Sequence, residues 1–173
     1  MELFEAIHTR RSIRSFSAEP VSEADLETVL RAAMTAPSAV NAQPWHFVVL
    51  TDRALLDAIP DIHPHAAMCR TAPVAIAVAA ELALEKLPGF GYWTLDCSAA
   101  VENLMLAARG LGLGTVWCGI YPRPERMEGL AKLLKFPEGV LAHALVVLGH
   151  PAQETAFKRE DRFKPERIHK NAW

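Results

Sequence analysis

Paired cysteines are missing from this chain. Its three thiols, Cys69, Cys97 and Cys118, contain no Cys-x-x-Cys and are odd in number, which argues against a disulfide framework and suits a reducing compartment. Long apolar runs are missing too: the longest, Ala72 to Ala80, is far too short to cross a bilayer. The opening Met1-Glu2-Leu3-Phe4-Glu5 has neither the basic nor the apolar region of a signal peptide, so a cytoplasmic protein off the membrane is expected. There is no surplus of positive charge. With 18 basic and 20 acidic residues the net charge is -2, which gives no reason to expect nucleic acid as a partner. Repeats, low-complexity segments and linkers are absent. What remains is 51% hydrophobic and 22% charged, the composition of a globular protein rather than a disordered one. Its 173 residues suit one domain over 1–173, able to bury about 70% of the surface its unfolded form exposes.

Residues 2–9 suit one or two helical turns, with Leu3, Phe4 and Ile7 on one face. Ser22 is a candidate N-cap, and Leu26, Val29, Leu30 and Ala33 follow with helical spacing until Pro37 stops the run. Trp45–Leu50 reads as a strand and Asp52–Ile59 as a short helix. Pro73–Ala80, apolar on both faces, reads as a central strand. Pro88, Gly89 and Gly91 make Leu82–Tyr92 an irregular loop, and Thr94–Arg109 is the longest helix, with Gly110 as its stop. That helix is apolar nearly all round, more so than a small monomer's surface suits. Thr115–Ile120 as a strand, Pro124–Leu134 as a helix and Leu141–Leu148 as a last strand complete the series. Helices and strands mix without a βαβ rhythm, which reads as α+β, with a three-layer α/β sheet as the alternative.

Familiar chemical groupings mostly fail. Gly110-Leu111-Gly112-Leu113-Gly114 tempts a dinucleotide reading, but there a helix ends and a strand begins, the reverse of what places a helix N-terminus on a pyrophosphate. His63, His65 and Cys69 lack a fourth ligand at zinc spacing, and Pro60 and Pro64 beside them suit an exposed loop. Cys118 has no basic neighbour in sequence and reads as a small buried residue beside Gly119. Asp96 and Glu102 form no acid/base pair, and Glu102-Asn103 on an apolar helix reads as buried and hydrogen-bonded. With no nucleophile, carboxylate pair or metal cluster, any catalysis falls to a cofactor.

Two groupings stand out. Arg10-Arg11-Ser12-Ile13-Arg14 puts three guanidiniums and a hydroxyl within five residues, either a solvated basic turn or a site for an anion. Ala36-Pro37-Ser38-Ala39-Val40-Asn41-Ala42-Gln43-Pro44-Trp45-His46-Phe47 combines turn residues and side-chain amides just ahead of a strand. Together with Leu111-Gly112-Leu113-Gly114-Thr115-Val116-Trp117 and the ending Arg162-Phe163-Lys164-Pro165-Glu166-Arg167-Ile168-His169 with Trp173, they make the whole chain resemble the nitroreductase family of FMN-dependent oxidoreductases.

That resemblance implies a central, mainly antiparallel sheet flanked by helices, in an intertwined homodimer with FMN at the subunit interface. It implies that Arg10, Arg11 and Ser12 hold the phosphate and ribityl chain, with Arg162 as a late phosphate ligand. Arg14 would lie near the pyrimidine side of the ring, and Cys118 and Gly119 along its edge. Pro37, Ser38, Ala39 and Asn41 would reach the cofactor from the partner subunit. NADH or NADPH would reduce the flavin, which would pass a hydride from N5 to a nitroaromatic, quinone or similar acceptor in ping-pong fashion. Dehalogenation, consumption of the flavin, or flavin binding without turnover are the other activities such a chain could have. Two departures stand against the pattern: Glu160 occupies a position that is often basic, leaving Lys158 or Arg159 as substitutes, and the chain lacks a long helical insertion that would shape the substrate pocket.

Overall fold

The computed structural model describes residues 1–153 and 157–173. Four strands, β1 (Trp45–Leu50), β2 (Val74–Glu81), β3 (Gly114–Gly119) and β4 (Val140–Gly149), form one sheet in the order β1-β2-β4-β3, and every pairing is antiparallel. β2 and β4 are central and buried along almost their whole length, which is why they read as continuous apolar runs instead of alternating ones.

Five helices flank the sheet: α1 (Leu3–Thr9), α2 (Glu23–Met34), α3 (Arg53–Ile62), α4 (Tyr92–Gly110) and α5 (Pro124–Leu134). Leu26, Val29 and Ala33 of α2 and Ala100, Val101 and Leu104 of α4 pack with Ile76, Val78 and Val146 on one face. Leu56 and Ile59 of α3 and Leu130 of α5 pack with Ala75, Ala77 and Val147 on the other. The layers are therefore three, as in the alternative reading, but the antiparallel sheet gives the connectivity of an α+β fold.

Local chemistry sets the helix ends. Ser22 Oγ accepts the Asp25 N–H at 3.1 Å, and Asp52 Oδ1 accepts the Ala54 N–H at 2.7 Å, each capping a first turn. Pro124 opens α5, where its missing N–H costs nothing. Three strands are displaced or extended by one residue relative to the sequence reading, and two helices differ more. α3 continues through Pro60 to Ile62, because the His63 N–H still closes the last turn on Ile59 O at 2.9 Å. α4 begins at Tyr92, and Gly110 belongs to its last turn, with Leu111 as the cap.

Arg109, only 9% exposed, ties the ends of the chain together. Its Nε donates to Thr9 Oγ1 at 2.9 Å, and its guanidinium lies 3.9 Å from the centre of the Phe157 ring, a cation–π contact. Beyond Phe157 every residue from Lys158 to Trp173 is exposed. No helix among the described residues is long and apolar enough to cross a membrane.

Candidate functional site

After α1 the chain turns extended and runs beside the outer edge of β3. Ser12 pairs with Thr115 in parallel, and the Ile13 N–H donates to Thr115 O at 2.9 Å. Alternation then buries Ile13 and leaves Ser12 and Arg14 outside. Gly114 makes this fit possible, since a Cβ there would stand 2.9 Å from the Ile13 side chain.

Arg10 and Arg11 turn into a cleft of about 360 Å³ whose other wall is Glu160, Asp161, Arg162 and Phe163. Residues that sequence separates by some 150 positions are thus brought together. Arg10 Nε is 3.3 Å from Glu102, and Arg162 Nε donates to Glu160 at 2.9 Å. Arg11 differs. Its Nη1 donates to Arg10 O at 2.6 Å, but its Nε and Nη2 are buried without a hydrogen-bond partner among the described residues. Buried donors on a fixed charge call for an acceptor, and a phosphate matches their fork. The cleft also holds a competitor: the Arg162 hydrogen bond and the charges of Arg11 and Arg162 hold the exposed Glu160 carboxyl below its ordinary range. Arg159 turns to Glu5, 3.4 Å away.

The other end of β3 carries Cys118 and Gly119. Because Thr115 O faces away from β4, alternation directs the N–H and C=O of Trp117 and Gly119 the same way, onto the edge along which Arg14 lies. Among the described residues beyond its chain neighbours, no atom lies within 4 Å of where a Gly119 Cβ would stand, so their packing does not require a glycine there. Burial pushes the Cys118 thiol up to about 11, against the pull of Arg14 and Arg126, which leaves it protonated and unreactive.

Pro37, Ser38, Ala39 and Asn41 do not join this cleft within one chain. Pro37, Ser38 and Ala39 line a separate shallow cleft of about 320 Å³ with Tyr92, Leu95, Asp96 and Ala99. The loop is held in an unusual shape, with φ near +54° at Val40 and Asn41. Its anchor is Asp96, 5% exposed, whose Oδ1 accepts the Ala39 N–H at 2.9 Å while Oδ2 has no partner among the described residues. The sequence offered one signal for this role, a lone carboxylate between Leu95 and Cys97 on an otherwise apolar stretch.

Two expectations are corrected. Glu102 is half-exposed, because it faces Arg10 rather than the core; Asn103 is the inward member and donates to Ala32 O at 3.2 Å. His63 is buried, not in an exposed loop, because it packs under α5 and meets Arg126 at 3.1 Å. No group of three or more His, Cys, Asp or Glu side chains poised for a metal occurs among the described residues. Sequence reasoning also passed over His143, an extra residue in β4 where the ladder jumps from Val78–Ala144 to Ala79–Ala142. It is buried among Trp93, Trp117 and Tyr121, with Nε2 3.1 Å from Ser98 Oγ, and burial pushes its pKa down to about 4. It is a neutral wall residue at ordinary pH.

Comparison with known proteins supplies the context. The model of the nitroreductase family matches residues 7–67 and 63–150. A Methanothermobacter thermautotrophicus protein, named a candidate NADH dehydrogenase/NAD(P)H nitroreductase, is 47% identical over 100% of this chain and 88% of its own length. The crystal structure of a candidate NADH oxidase from Clostridium acetobutylicum is similar at a TM-score of 0.92 and 36% identity, over 97% of this chain and 99% of that one. A candidate nitroreductase from Desulfovibrio desulfuricans, solved in complex with FMN, is similar at a TM-score of 0.83 and 30% identity, over 100% and 98% of the two chains.

Proposed function

This chain belongs to the nitroreductase family, and from that premise we propose that it is an FMN-dependent NAD(P)H oxidoreductase acting on nitroaromatics, quinones or similar small acceptors. The observation that carries the reading is Arg11, whose buried donors have no hydrogen-bond partner among the described residues and face a guanidinium-lined cleft. Bound there, FMN would supply the two-electron chemistry that carries a hydride from NAD(P)H to the acceptor.

The residues fit that group. Arg10, Arg11, Ser12 and Arg162 would hold the phosphate and ribityl chain. From the phosphate end, the segment Ser12–Arg14 runs along β3 towards Gly119, so one edge of the sheet offers anion, cation and N–H in succession. Arg14, next along that edge, would face the pyrimidine side, where a cation stabilises the negative charge that reduction brings. The outward Gly119 N–H would donate to N5, while Cys118 would contribute only backbone. No side chain is assigned as an acid, so protons for the acceptor would come from water. Use of one site by both substrates in turn would give ping-pong kinetics.

Pro37, Ser38, Ala39 and Asn41 would complete the site from a second copy of the chain. Supporting this, large apolar side chains stand exposed on the N-terminal helix, on α4 and on the tail: Phe4 at 73%, Leu95 at 64%, Phe163 at 69% and Trp173 at 101%. A cytoplasmic, one-domain subunit that pairs with itself would cover them.

Purified protein should be yellow, bleach on adding NAD(P)H and recover its colour with a nitroaromatic or quinone. A yellow protein that never bleaches would be a binder without turnover, against this reading. Sedimentation should give about twice the 19.0 kDa chain mass with one FMN per chain. A stable monomer that holds FMN fully would contradict the two-subunit site.

A further inference from the structure

Gly119 makes a second contact that flavin binding leaves unused. Its carbonyl accepts a hydrogen bond from Arg126 Nη1 at 2.9 Å, and the same nitrogen lies 3.1 Å from His63 Nε2. Arg126 sits in the first turn of α5, and His63 caps the end of α3 with only 4% of its surface exposed. Because a guanidinium can only donate, His63 Nε2 must accept, which fixes the imidazole as neutral. Burial and the Arg126 charge both push its pKa down, in the same direction. One guanidinium thus joins three elements: two helix ends and the last residue of β3.

That last residue needs such a hold. The ladder between β3 and β4 ends at the pair Gly119–Ala144, and the Gly119 N–H and C=O face away from it. Nothing in the sheet fixes those groups, and glycine has the widest backbone freedom of any residue. A charge-assisted hydrogen bond is about twice as strong as a neutral one. It also leaves a permanent cation one residue from the flavin edge, where its field would favour the negatively charged reduced ring over the neutral oxidised one.

We propose that Arg126 is a positioning residue for the flavin edge: it pins the Gly119 carbonyl, so that the N–H stays aimed outward, and biases the cofactor towards its reduced form. This rests on the assignment of Gly119 to flavin N5. Arg126 itself touches neither cofactor nor substrate; it acts through the backbone of Gly119.

The test compares Arg126→Gln and Arg126→Lys holoenzymes by the midpoint potential of bound FMN, the rate of bleaching by NAD(P)H and the melting temperature. In the apo-protein, the amide resonance of Gly119 reports on the backbone directly. Arg126→Gln should move the potential to more negative values, slow bleaching about tenfold and shift the Gly119 amide. Arg126→Lys, which keeps the charge and one donor, should restore most of the potential. A variant that changes only the melting temperature, or changes nothing, overturns the proposal, for Arg126 would then be a structural staple. Gly119→Val separates the two failures. If it leaves FMN binding and reduction intact, the Gly119 assignment is wrong; if it disrupts them while Arg126→Gln keeps potential and rate, only the role of Arg126 falls.

Discussion

Gly119→Val should release the flavin or slow its reduction by NAD(P)H a hundredfold or more (on the order of 3 kcal/mol in the barrier), while the apo-protein melts close to the wild-type temperature. Neighbouring glycines show why the two effects separate. A Cβ at Gly114 would stand 2.9 Å from Ile13, at Gly129 2.8 Å from Ile62 and at Gly149 2.8 Å from Pro73, so the chain needs those positions bare for its own packing. At Gly119 no atom of the other described residues beyond its chain neighbours lies within 4 Å of where a Cβ would stand. A β-branched side chain suits the end of a strand and reduces the freedom of the unfolded chain, so apo stability should hold or rise slightly. Whatever requires a glycine must press from outside the chain, as the edge of a flavin ring does in the proposed site. Cys118→Ser is the matched control. Its thiol is buried and its pKa is pushed up to about 11, so it stays protonated except in strong base, and exchanging sulfur for oxygen should cost some stability and little reduction rate. Stopped-flow bleaching compares the two variants. Loss of reduction in Cys118→Ser with Gly119→Val intact would sink the edge assignment and reopen a thiol mechanism.

Elements governed by local chemistry were legible in the sequence. Trp45–Leu50 and Pro124–Leu134 appear with the expected boundaries, because turn residues precede the first and Pro124 opens the second. α3 was read short because Pro60 looks like a stop; it forfeits one hydrogen bond, and the next turn still closes through His63. The site divides along the same line. The guanidinium cluster and the glycine at 119 lie in short segments whose composition is unusual in itself. Arg126 was passed over, and Asp96 and His63 were weighed for other roles, because Asp96 and Arg126 act on backbone groups 57 and 7 residues away and His63 on the Arg126 side chain 63 residues away. Such pairings arise only when helices pack on the sheet. Glu102 was misread for the same reason: its partner Arg10 belongs to the other end of the chain.

Arg11→Ala should weaken FMN more than the equivalent change at Arg10 or Arg162. All three guanidiniums line the cleft, yet Arg10 already has Glu102 at 3.3 Å and Arg162 already has Glu160 at 2.9 Å. Arg11 stands farther from its carboxylate, Nε lying 3.8 Å from Glu160. It alone of the three keeps two buried donors without a hydrogen bond among the described residues, so a phosphate gains most there and loses most on truncation. Removing a charge-assisted, forked contact costs on the order of 2–4 kcal/mol, or about 30- to 1,000-fold in Kd. Arg10→Ala and Arg162→Ala should also weaken binding, by less, because each of those cations is more closely paired with a carboxylate than Arg11 is. Glu160→Gln should act in the opposite sense, since it removes a negative charge that competes with the phosphate for Arg11 and Arg162. Titrating each apo-variant with FMN and with riboflavin, which has no phosphate, isolates the contact. Arg11→Ala should lose affinity for FMN while riboflavin binding stays as in the wild type. An equal loss for both ligands would move Arg11 away from the phosphate, and unchanged FMN affinity in all three arginine variants would remove the phosphate site from this cleft altogether.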